Sequence, residues 1–390
     1  MDVTVPRIVL LSVGRGQLAR EYGGFVRGLH RAVSGELDAT LLEGEAGLPL
    51  YRGFRLLAEA LPYGGLEIEG AYNRYKRDAL AFGLSVLPRL YRQRYDIIHY
   101  VDPPLAMVLE KFVRRAGIGS RLVYSELSGI APPFYPKISH VHQVSPATMY
   151  EAEIMAVPPA SMTMIPCAVE APRGPAAAAR RSAARQASGI SESAFVVLVN
   201  GELGRIGRRV HYVIDEVSQL EGEVVLWLNG PVADPAIPEM ARQKLGSRCR
   251  ISDVGEGAVQ DLYGAADVMV HAVVQEPFGI RVAEAMCHGV PVLVQRSSHM
   301  AWLTECEEYQ VEMRVPGNLA ARLGEQRQAR ERFASRAAER AEGVRARFDW
   351  TRLKGEYAAL YRRLLNGAEA ARPADAGEPV LAGGARQGNA

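Results

Sequence analysis

Short runs of consecutive apolar residues, alternating with longer amphipathic segments, constrain the fold of this chain more than any other feature of the sequence. Runs that are apolar at every position are typical of strands covered on both faces, as in a parallel sheet between helices. The pattern predicts two consecutive blocks of βα units, each an open doubly wound sheet. The runs are residues 7–13, 38–43, 95–101, 121–125, 140–145, 161–166, 194–200, 223–229, 250–255, 267–274 and 290–295.

The segments between the runs complete the predicted organisation. Residues 210–220 and 259–266 carry apolar residues at helical spacing, and residues 171–190, rich in Pro, Gly, Ala and Arg, are interpreted as a linker, a short helix, or both. The predicted parts are a Rossmann-like N-terminal domain (1–170), the linker (171–190), a second Rossmann-like domain (191–349), a closing helix (350–366) ended by Gly367, and a disordered tail (367–390).

Composition excludes several classes of protein. Lys and Arg number 46 and Asp and Glu 44, a formal net charge of +2, so no charge excess points to nucleic acid or an anionic membrane as the main partner. Cys167, Cys249, Cys287 and Cys306 form no Cys-x-x-Cys pair, which excludes a disulfide scaffold or zinc ribbon and favours a reducing compartment. No run reaches the ~20 apolar residues of a transmembrane helix. A cytoplasmic protein is predicted, with peripheral membrane contact left open.

The segment QEPFGIRVAEAMCHGVPVLVQ, residues 275–295, is the most informative part of the sequence. Pro277 and Gly279 predict a turn after the preceding strand, and the residues that follow predict a helix ended by Gly289. Unpaired amides and the helix dipole favour an anion such as a phosphate at this start of a helix. The amides concerned are those of Phe278, Gly279, Ile280 and Arg281.

Two carboxylates, Glu276 and Glu284, bracket this turn with seven residues between them. A phosphate would repel them, so they are predicted to accept hydrogen bonds from the hydroxyl groups of a sugar or ribose. The alternative for Glu276 is a helix-capping acid. The alternative for Glu284 is an exposed helix carboxylate paired with Arg281.

With these flanks, the segment resembles the signature of the retaining glycosyltransferases of family 4, which have the GT-B fold. The resemblance rests on Glu276, seven residues and Glu284 within EPFGIRVAEAMCHGVPVL, and residues 250–274 are similar to the stretch that leads into that signature. Residues 348–365 resemble the closing helix of the family. The resemblance covers most of residues 5–366.

The resemblance implies an α/β GT-B fold, in which two Rossmann-like domains face each other across a cleft and a C-terminal helix packs back on the first domain. It implies a nucleotide-diphosphate-sugar donor on the second domain, with Glu284 on the ribose and Glu276 on the transferred sugar. The amides of Phe278, Gly279 and Ile280 would contact the sugar or the diphosphate. A hydroxyl acceptor would bind the first domain. The donor is a substrate, so no cofactor is implied.

In the first domain, two glycines and two titratable side chains are candidates. Gly23 and Gly24 resemble the glycine loop after the first strand and are expected to form a turn at the donor site. The family commonly has a His after the strand equivalent to residues 121–125, where this chain has Glu126. Glu126 is therefore a catalytic candidate, and His99 is another because it ends a predicted strand and is expected to face the cleft. An ordinary loop carboxylate and a buried histidine are the alternatives.

A second departure concerns the cations that neutralise the diphosphate. The family usually has an Arg and a Lys after the first strand of the second domain, but NGELGRIGRRVHYV, residues 200–213, has Glu202 where the Arg is expected. Arg205, Arg208 and Arg209 are candidates for the missing charge, because a guanidinium is a good phosphate ligand. The alternative is a solvated turn.

These observations favour one hypothesis over two others. The chain has no Asp-x-Asp triplet, the usual Mg²⁺ or Mn²⁺ site on a sugar-nucleotide diphosphate, so a metal-free site of amides and cations is predicted. The leading hypothesis is a retaining glycosyltransferase acting on a small-molecule, glycan or lipid hydroxyl, with residues 52–94 shaping the acceptor site. The alternatives are a catalytically inactive sugar-nucleotide-binding or partner protein and a GT-B enzyme that forms a non-glycosidic bond.

Overall fold

The computed structural model describes residues 5–14, 17–44, 48–59, 67–170, 177–255 and 258–369. The predicted tail lies outside the described residues from position 370 onward. None of the helices in these ranges is long and apolar enough to cross a membrane.

The first domain is built on a parallel sheet, six-stranded within the described residues, with strand order β2-β1-β3-β4-β5-β6. All but the first residue of β1 are buried, as expected for a strand covered on both faces. The strands are β1 (Arg7–Ser12), β2 (Asp38–Glu43), β3 (Ile97–Tyr100), β4 (Arg121–Glu126), β5 (His140–Gln143) and β6 (Met162–Met164). The helices are α1 (Gln17–Val33), α2 (Tyr51–Glu59), α3 (Glu67–Gln93), α4 (Ala106–Arg115) and α5 (Pro146–Ile154).

The second domain repeats this plan in the strand order β12-β11-β10-β7-β8-β9, that of a doubly wound dinucleotide-binding sheet. The strands are β7 (Phe195–Asn200), β8 (Val224–Asn229), β9 (Cys249–Ser252), β10 (Val268–His271), β11 (Val292–Gln295) and β12 (Gln310–Val311). The helices are α6 (Ala177–Ala187), α7 (Val210–Ser218), α8 (Ala236–Leu245), α9 (Val259–Ala265), α10 (Ile280–Cys287), α11 (Ser298–Thr304), α12 (Asn318–Gln328), α13 (Arg330–Phe348) and α14 (Trp350–Glu369).

The prediction of two doubly wound parallel sheets is confirmed, and every predicted run contains or overlaps a strand. The segment interpreted as a linker, a short helix, or both contains α6, so the predicted helix is confirmed and its role as a linker stays a prediction. The predicted helix end at Gly367 is wrong, because α14 continues to Glu369. A single glycine costs a helix about 1 kcal/mol, which does not stop a helix of this length.

The expected turn at Gly23 and Gly24 is also wrong, because both residues lie inside α1. Close packing explains the glycines of this helix better than a turn does. A Cβ at position 23 would lie 2.6 Å from Oε1 of Glu43, and a Cβ at Gly28 would lie 2.6 Å from Nε1 of Trp350. The glycines therefore allow α1 to approach the end of β2 and the start of α14.

The connections between the two domains lie side by side near residues 170 and 349. The backbone N–H of Val169 donates to the carbonyl oxygen of Phe348 at 2.8 Å, and Val169 pairs with Asp349 in an isolated parallel bridge. Beyond this point α14 packs against α1 of the first domain, as the GT-B resemblance implied.

A buried chain of hydrogen bonds fastens α14 to the first sheet. The hydroxyl of Tyr361 donates to Nδ1 of His99 at 2.7 Å, and Nε2 of His99 donates to Oγ of Ser125 at 2.6 Å. Ser125 donates to Nδ1 of His142 at 2.7 Å, and Nε2 of His142 donates to the carbonyl oxygen of Ile165 at 2.7 Å. Burial keeps both imidazoles neutral at neutral pH, and a carbonyl oxygen can only accept, so these directions follow.

A second buried cluster ties α6 and α13 to the second sheet through Asp267, the residue before β10. Its carboxylate accepts hydrogen bonds at 2.7 Å from Arg181, Arg185 and Arg330 and from the backbone N–H of Val196. The side chain of Asp267 is 4% exposed and that of Arg185 is fully buried. The carboxylate therefore offsets the charge of guanidinium groups that have little access to water.

Replacing Asp267 by Ala should lower the free energy of unfolding by about 3–5 kcal/mol, because it leaves buried charge without its counter-charge. Urea denaturation followed by circular dichroism measures this change. Lys244→Met removes a more exposed ion pair, with Asp215, and should leave the urea midpoint close to that of the wild type. An Asp267→Ala protein as stable as this control would contradict the structural role of the cluster.

The chain through His142 predicts a loss of stability in acid. Burial lowers the pKa of His99 well below its usual value and that of His142 to about 4, whereas histidine in an unfolded chain titrates near 6.5. The unfolded state therefore binds more protons as the pH falls from about 6.5 to 4, and these groups destabilise the fold in that window. His142→Gln should reduce the slope of unfolding free energy against pH by about 1.4 kcal/mol per pH unit.

Urea denaturation at several pH values between 7 and 5 measures this slope. Tyr361→Phe is the matched control, because it breaks the same chain without removing an imidazole. It should lower stability at every pH and keep the wild-type slope. Equal slopes for the wild type and His142→Gln would refute the prediction.

Candidate functional site

A cleft that is open to solvent separates the two domains. From the second domain the cleft is lined by Arg208, Tyr263, His271, Glu276, Phe278, Ile280, Arg281 and Glu284, among others. From the first domain it is lined by Tyr22, Gly24, Phe25, Arg31 and Leu127.

The turn between β10 and α10 is built around Gly279, which precedes the first residue of α10 and has φ +96°. A side chain there would be strained, and its Cβ would lie 2.9 Å from Cδ2 of Leu303. The predicted turn and helix are thus confirmed, with α10 beginning at Ile280. The glycine brings both glutamates of the signature to the cleft.

Glu276 lines the cleft and is held by two donors. Its Oε1 accepts the backbone N–H of Gly279 at 3.1 Å, and its Oε2 lies 3.0 Å from Nε2 of His271. Burial alone would raise the pKa of this carboxyl, but the His271 hydrogen bond and nearby positive charge, including Arg208, outweigh it and lower the pKa to about 2. Glu276 is therefore ionised at neutral pH, and it faces the cleft while it accepts the N–H of Gly279, the residue before α10.

Phe278 lines the cleft but also anchors the turn in the core. Its buried ring packs edge-on against Phe348 and Trp302, with centroid distances of 5.5 and 6.2 Å. Its carbonyl oxygen accepts a hydrogen bond from Nε2 of His299 at 2.8 Å. The backbone of the turn is therefore fixed before any ligand binds.

Glu284 fits both interpretations given for it, a ligand-binding carboxylate and a helix carboxylate paired with Arg281. Its Oε2 accepts a hydrogen bond from the hydroxyl of Tyr263 at 2.8 Å and pairs with Nη1 of Arg281 at 2.9 Å. The ring of Tyr263 packs against that of His288 at 5.0 Å. The carboxylate is thus paired on its helix, as the alternative stated, and it lines the interdomain cleft, as the functional hypothesis requires.

Of the three candidate arginines, Arg208 is the one that lines the cleft. Its guanidinium lies over the backbone of Gly201, where a Cβ would come within 3.0 Å of Cζ. Gly201 has φ +136°, so glycine satisfies both the backbone conformation and the close approach. Arg208 thereby places positive charge near Glu276.

The other two arginines have structural partners. Nε of Arg205 pairs with Asp234 at 2.9 Å, with about half of the arginine side chain exposed. Arg209 precedes α7 with φ +51°, stacks on Tyr212 at 4.5 Å and donates to the carbonyl oxygen of Met313 at 3.0 Å. These contacts engage both guanidinium groups with other parts of the protein, and neither is positioned as the phosphate ligand that was predicted.

Glu126 ends β4 as a fully buried carboxylate. It accepts hydrogen bonds from the hydroxyl of Tyr124 at 2.8 Å and from the backbone N–H groups of Ser128, Gly129 and Ile130 at 3.0, 2.5 and 3.3 Å. Burial raises its pKa to about 7 although these donors oppose the shift. Glu126 therefore shapes the loop after β4.

That loop reaches the second domain. Leu127 lines the cleft, and a Cβ at Gly129 would lie 3.3 Å from Cγ of Pro277 in the signature turn. Glu126 thus acts on the cleft through the loop that it shapes.

Two remaining candidates in the first domain lie at different depths. Gly24 lines the cleft from α1. His99 is 2% exposed and uses both ring nitrogens in the chain to Tyr361 and Ser125. The structure therefore agrees with the interpretation of His99 as a buried histidine rather than as a group facing the cleft.

The sequence interpretation missed His271 and Tyr263. His271 is the last residue of β10, at the carboxyl edge of the sheet, and this position is itself a signal for a site residue. Tyr263 lies on an amphipathic helix, where an aromatic residue is expected to be core, so its contact with Glu284 had no signal in the sequence. Within the ranges described above, no group of three or more His, Cys, Asp or Glu is arranged to hold a metal ion.

Part of the chain matches known sequences. Residues 194–325 match the family model described as Glycosyl transferases group 1. The chain is 30% identical over 127 residues to the D-inositol 3-phosphate glycosyltransferase of Streptomyces scabiei, an alignment of 29% of this chain and 28% of the relative. The match therefore spans less than a third of the curated relative and falls short of the whole protein.

Solved structures match over nearly the whole chain. Sucrose-phosphate synthase from Thermosynechococcus elongatus is 17% identical with a TM-score of 0.74, covering 93% of this chain and 100% of that one. Anabaena HepE in complex with UDP and glucose is 18% identical with a TM-score of 0.68, covering 92% and 99%. At this identity the likeness shows the fold. The chain has the GT-B fold, and residues 194–325 of its second domain are similar to the glycosyl transferases group 1.

Proposed function

We propose that this chain is a retaining glycosyltransferase that moves a sugar from a nucleotide-diphosphate-sugar donor to a hydroxyl acceptor without a metal ion or cofactor. The observation that carries the proposal is the presence of Glu276, Glu284 and Arg208 in one interdomain cleft. Two acids that accept hydroxyl hydrogen bonds, beside a cation, match a ligand that joins polyols to a diphosphate.

The proposed donor contacts follow from this arrangement. Glu284 accepts hydrogen bonds from the ribose and Glu276 from the transferred sugar, while Arg208 neutralises the diphosphate. The complex of HepE with UDP and glucose supports a nucleoside diphosphate and a hexose as the ligands of such a cleft. The hydroxyl acceptor, a small molecule, glycan or lipid, enters along α1 of the first domain.

The proposed reaction is a front-side displacement. The bond from the anomeric carbon to the diphosphate oxygen breaks while the bond to the acceptor oxygen forms on the same face, and the acceptor proton passes to the leaving diphosphate. The protein contributes alignment and stabilisation of the growing negative charge. Glu276, with its pKa near 2, stays an acceptor for sugar hydroxyls throughout.

Two observations bear on the cellular compartment and on the hypothesis of an inactive protein. The four cysteines are free thiols, which supports our expectation of a cytoplasmic protein. The inactive alternative rested on Glu202 in place of the family Arg and on the missing His. Arg208 supplies positive charge at the cleft, so we favour the enzyme.

Titration calorimetry with free UDP, ADP and GDP tests donor binding, and mass spectrometry of products from a panel of sugar nucleotides and acceptors tests transfer. We expect one nucleoside diphosphate to bind. Glu276→Gln should keep that binding and lower transfer by roughly 10²-fold. Binding of no nucleoside diphosphate would refute the proposal. Binding without transfer or donor hydrolysis would favour the inactive alternative.

Arg208→Ala should lower kcat by roughly 10²- to 10³-fold with a smaller change in KM, because charge on the leaving diphosphate grows as the bond breaks. Steady-state kinetics with the donor identified above measures this. Arg205→Ala is the matched control from the same loop, because its guanidinium pairs with Asp234, and it should keep wild-type kcat. Equal losses in both variants would show that the loop acts through its fold and not through the Arg208 charge.

A further inference from the structure

We infer that Tyr263 is a positioning residue that fixes Glu284 for a ribose diol and so sets a preference for ribonucleotide over 2′-deoxyribonucleotide donors. The inference rests on the proposed function, in which Glu284 contacts the ribose. It is carried by a continuous series of hydrogen bonds that ends at the Glu284 carboxylate, here called the donor chain: Trp227, Ser252, Asn229, Asn200 and Tyr263.

The first part of the donor chain crosses the ends of the strands. Nε1 of Trp227 donates to Oγ of Ser252 at 2.9 Å, and Ser252 donates to Oδ1 of Asn229 at 2.8 Å. Nδ2 of Asn229 donates to Oδ1 of Asn200 at 3.0 Å. The backbone N–H of Val254 also donates to Oδ1 of Asn229 at 3.0 Å, and this fixes which end of that amide accepts.

The second part carries the chain to the cleft. Nδ2 of Asn200 donates to the hydroxyl of Tyr263 at 3.0 Å, and this hydroxyl donates to Oε2 of Glu284 at 2.8 Å. The carbonyl oxygen of Arg281 lies 3.5 Å from the same hydroxyl, too far to compete. An indole N–H can only donate and a carboxylate can only accept, so every hydrogen in the donor chain points toward Glu284.

This direction has two consequences for Glu284. Successive hydrogen bonds of one sense polarise one another, which strengthens the last bond, that from Tyr263. Burial, together with the Glu284 charge, raises the pKa of Tyr263 well above its usual value, so the phenol keeps its proton and remains a donor. The carboxylate therefore has a permanent partner whose own position is fixed by the strand ends.

Tyr263 and Arg281 together hold the plane of the carboxylate. Arg281 Nη1 contacts Oε1 at 3.2 Å and Oε2 at 2.9 Å, whereas Tyr263 contacts Oε2. Two neighbouring hydroxyls of a ribose can both donate to a carboxylate held at one angle, and a 2′-deoxyribose has lost one of these donors. The ratio of the affinities for the ribo and the 2′-deoxy form therefore depends on the angle at which Glu284 is held.

The test is the ratio of dissociation constants for 2′-deoxy and ribo forms of the same nucleoside diphosphate, measured by calorimetry. UDP, ADP and GDP are used with their 2′-deoxy counterparts, and the pair that the wild type binds most tightly is followed. We expect the wild type to favour the ribo form by roughly ten-fold or more. Tyr263→Phe should bring the ratio close to one, mainly by weakening the ribo form.

Two further variants separate positioning from a general effect on the fold. Tyr309→Phe alters a buried tyrosine of the same domain, 5.7 Å from the guanidinium of Arg340, and should keep the wild-type ratio. Ser252→Ala cuts the donor chain at its far part and should lower the ratio by roughly two-fold. If Tyr263→Phe does not fold, the ratio of dissociation constants for Ser252→Ala tests the inference in its place.

The outcomes are distinct. A wild type that binds no nucleoside diphosphate overturns the proposed function. A wild type that binds but does not discriminate, or a folded Tyr263→Phe that keeps the wild-type ratio, overturns this inference and leaves the proposed function standing. The inference is supported if the preference for the ribo form disappears in Tyr263→Phe and remains in Tyr309→Phe. A purely structural tyrosine would change the affinities for the ribo and the 2′-deoxy form equally.

Discussion

The site depends on two carboxylates that the protein holds in place with its own donors. Glu276 is fixed by the amide of Gly279 and by His271, and Glu284 by Tyr263 and Arg281. A charge at the edge of a buried core needs such partners, since an uncompensated one would be strongly destabilised. The partners come from the turn, the strand ends and the neighbouring helix, so the geometry of the site follows from that of the second sheet.

The first domain contributes through packing more than through side-chain chemistry. Glu126 shapes the loop that contacts Pro277, and His99 and His142 secure α14. These buried polar groups are hydrogen-bonded within the first domain, whose side of the cleft is lined by Tyr22, Gly24, Phe25, Arg31 and Leu127, among others. Both domains therefore line the cleft with side chains that the folded protein already holds in position.

The fold could be predicted because apolar runs and turn glycines are local signals. The two-residue strand β12 was missed because two residues carry no periodicity. Glu276 and Glu284 could be proposed because they bracket a predicted turn and because the whole segment resembles a family signature. The choice among Arg205, Arg208 and Arg209 depends on partners such as Asp234, which is distant in sequence. The glycines of α1 were misassigned for the same reason: their neighbours belong to other elements. The role of Tyr263 depends on Asn200 and Ser252, which the sheet brings together.

The pairing of Val169 with Phe348 and Asp349 has a consequence for motion. The two covalent links between the domains are fastened to each other at this point. If one domain rotates relative to the other without breaking these bonds, the rotation axis must pass close to this point. Displacement then grows with distance from this axis.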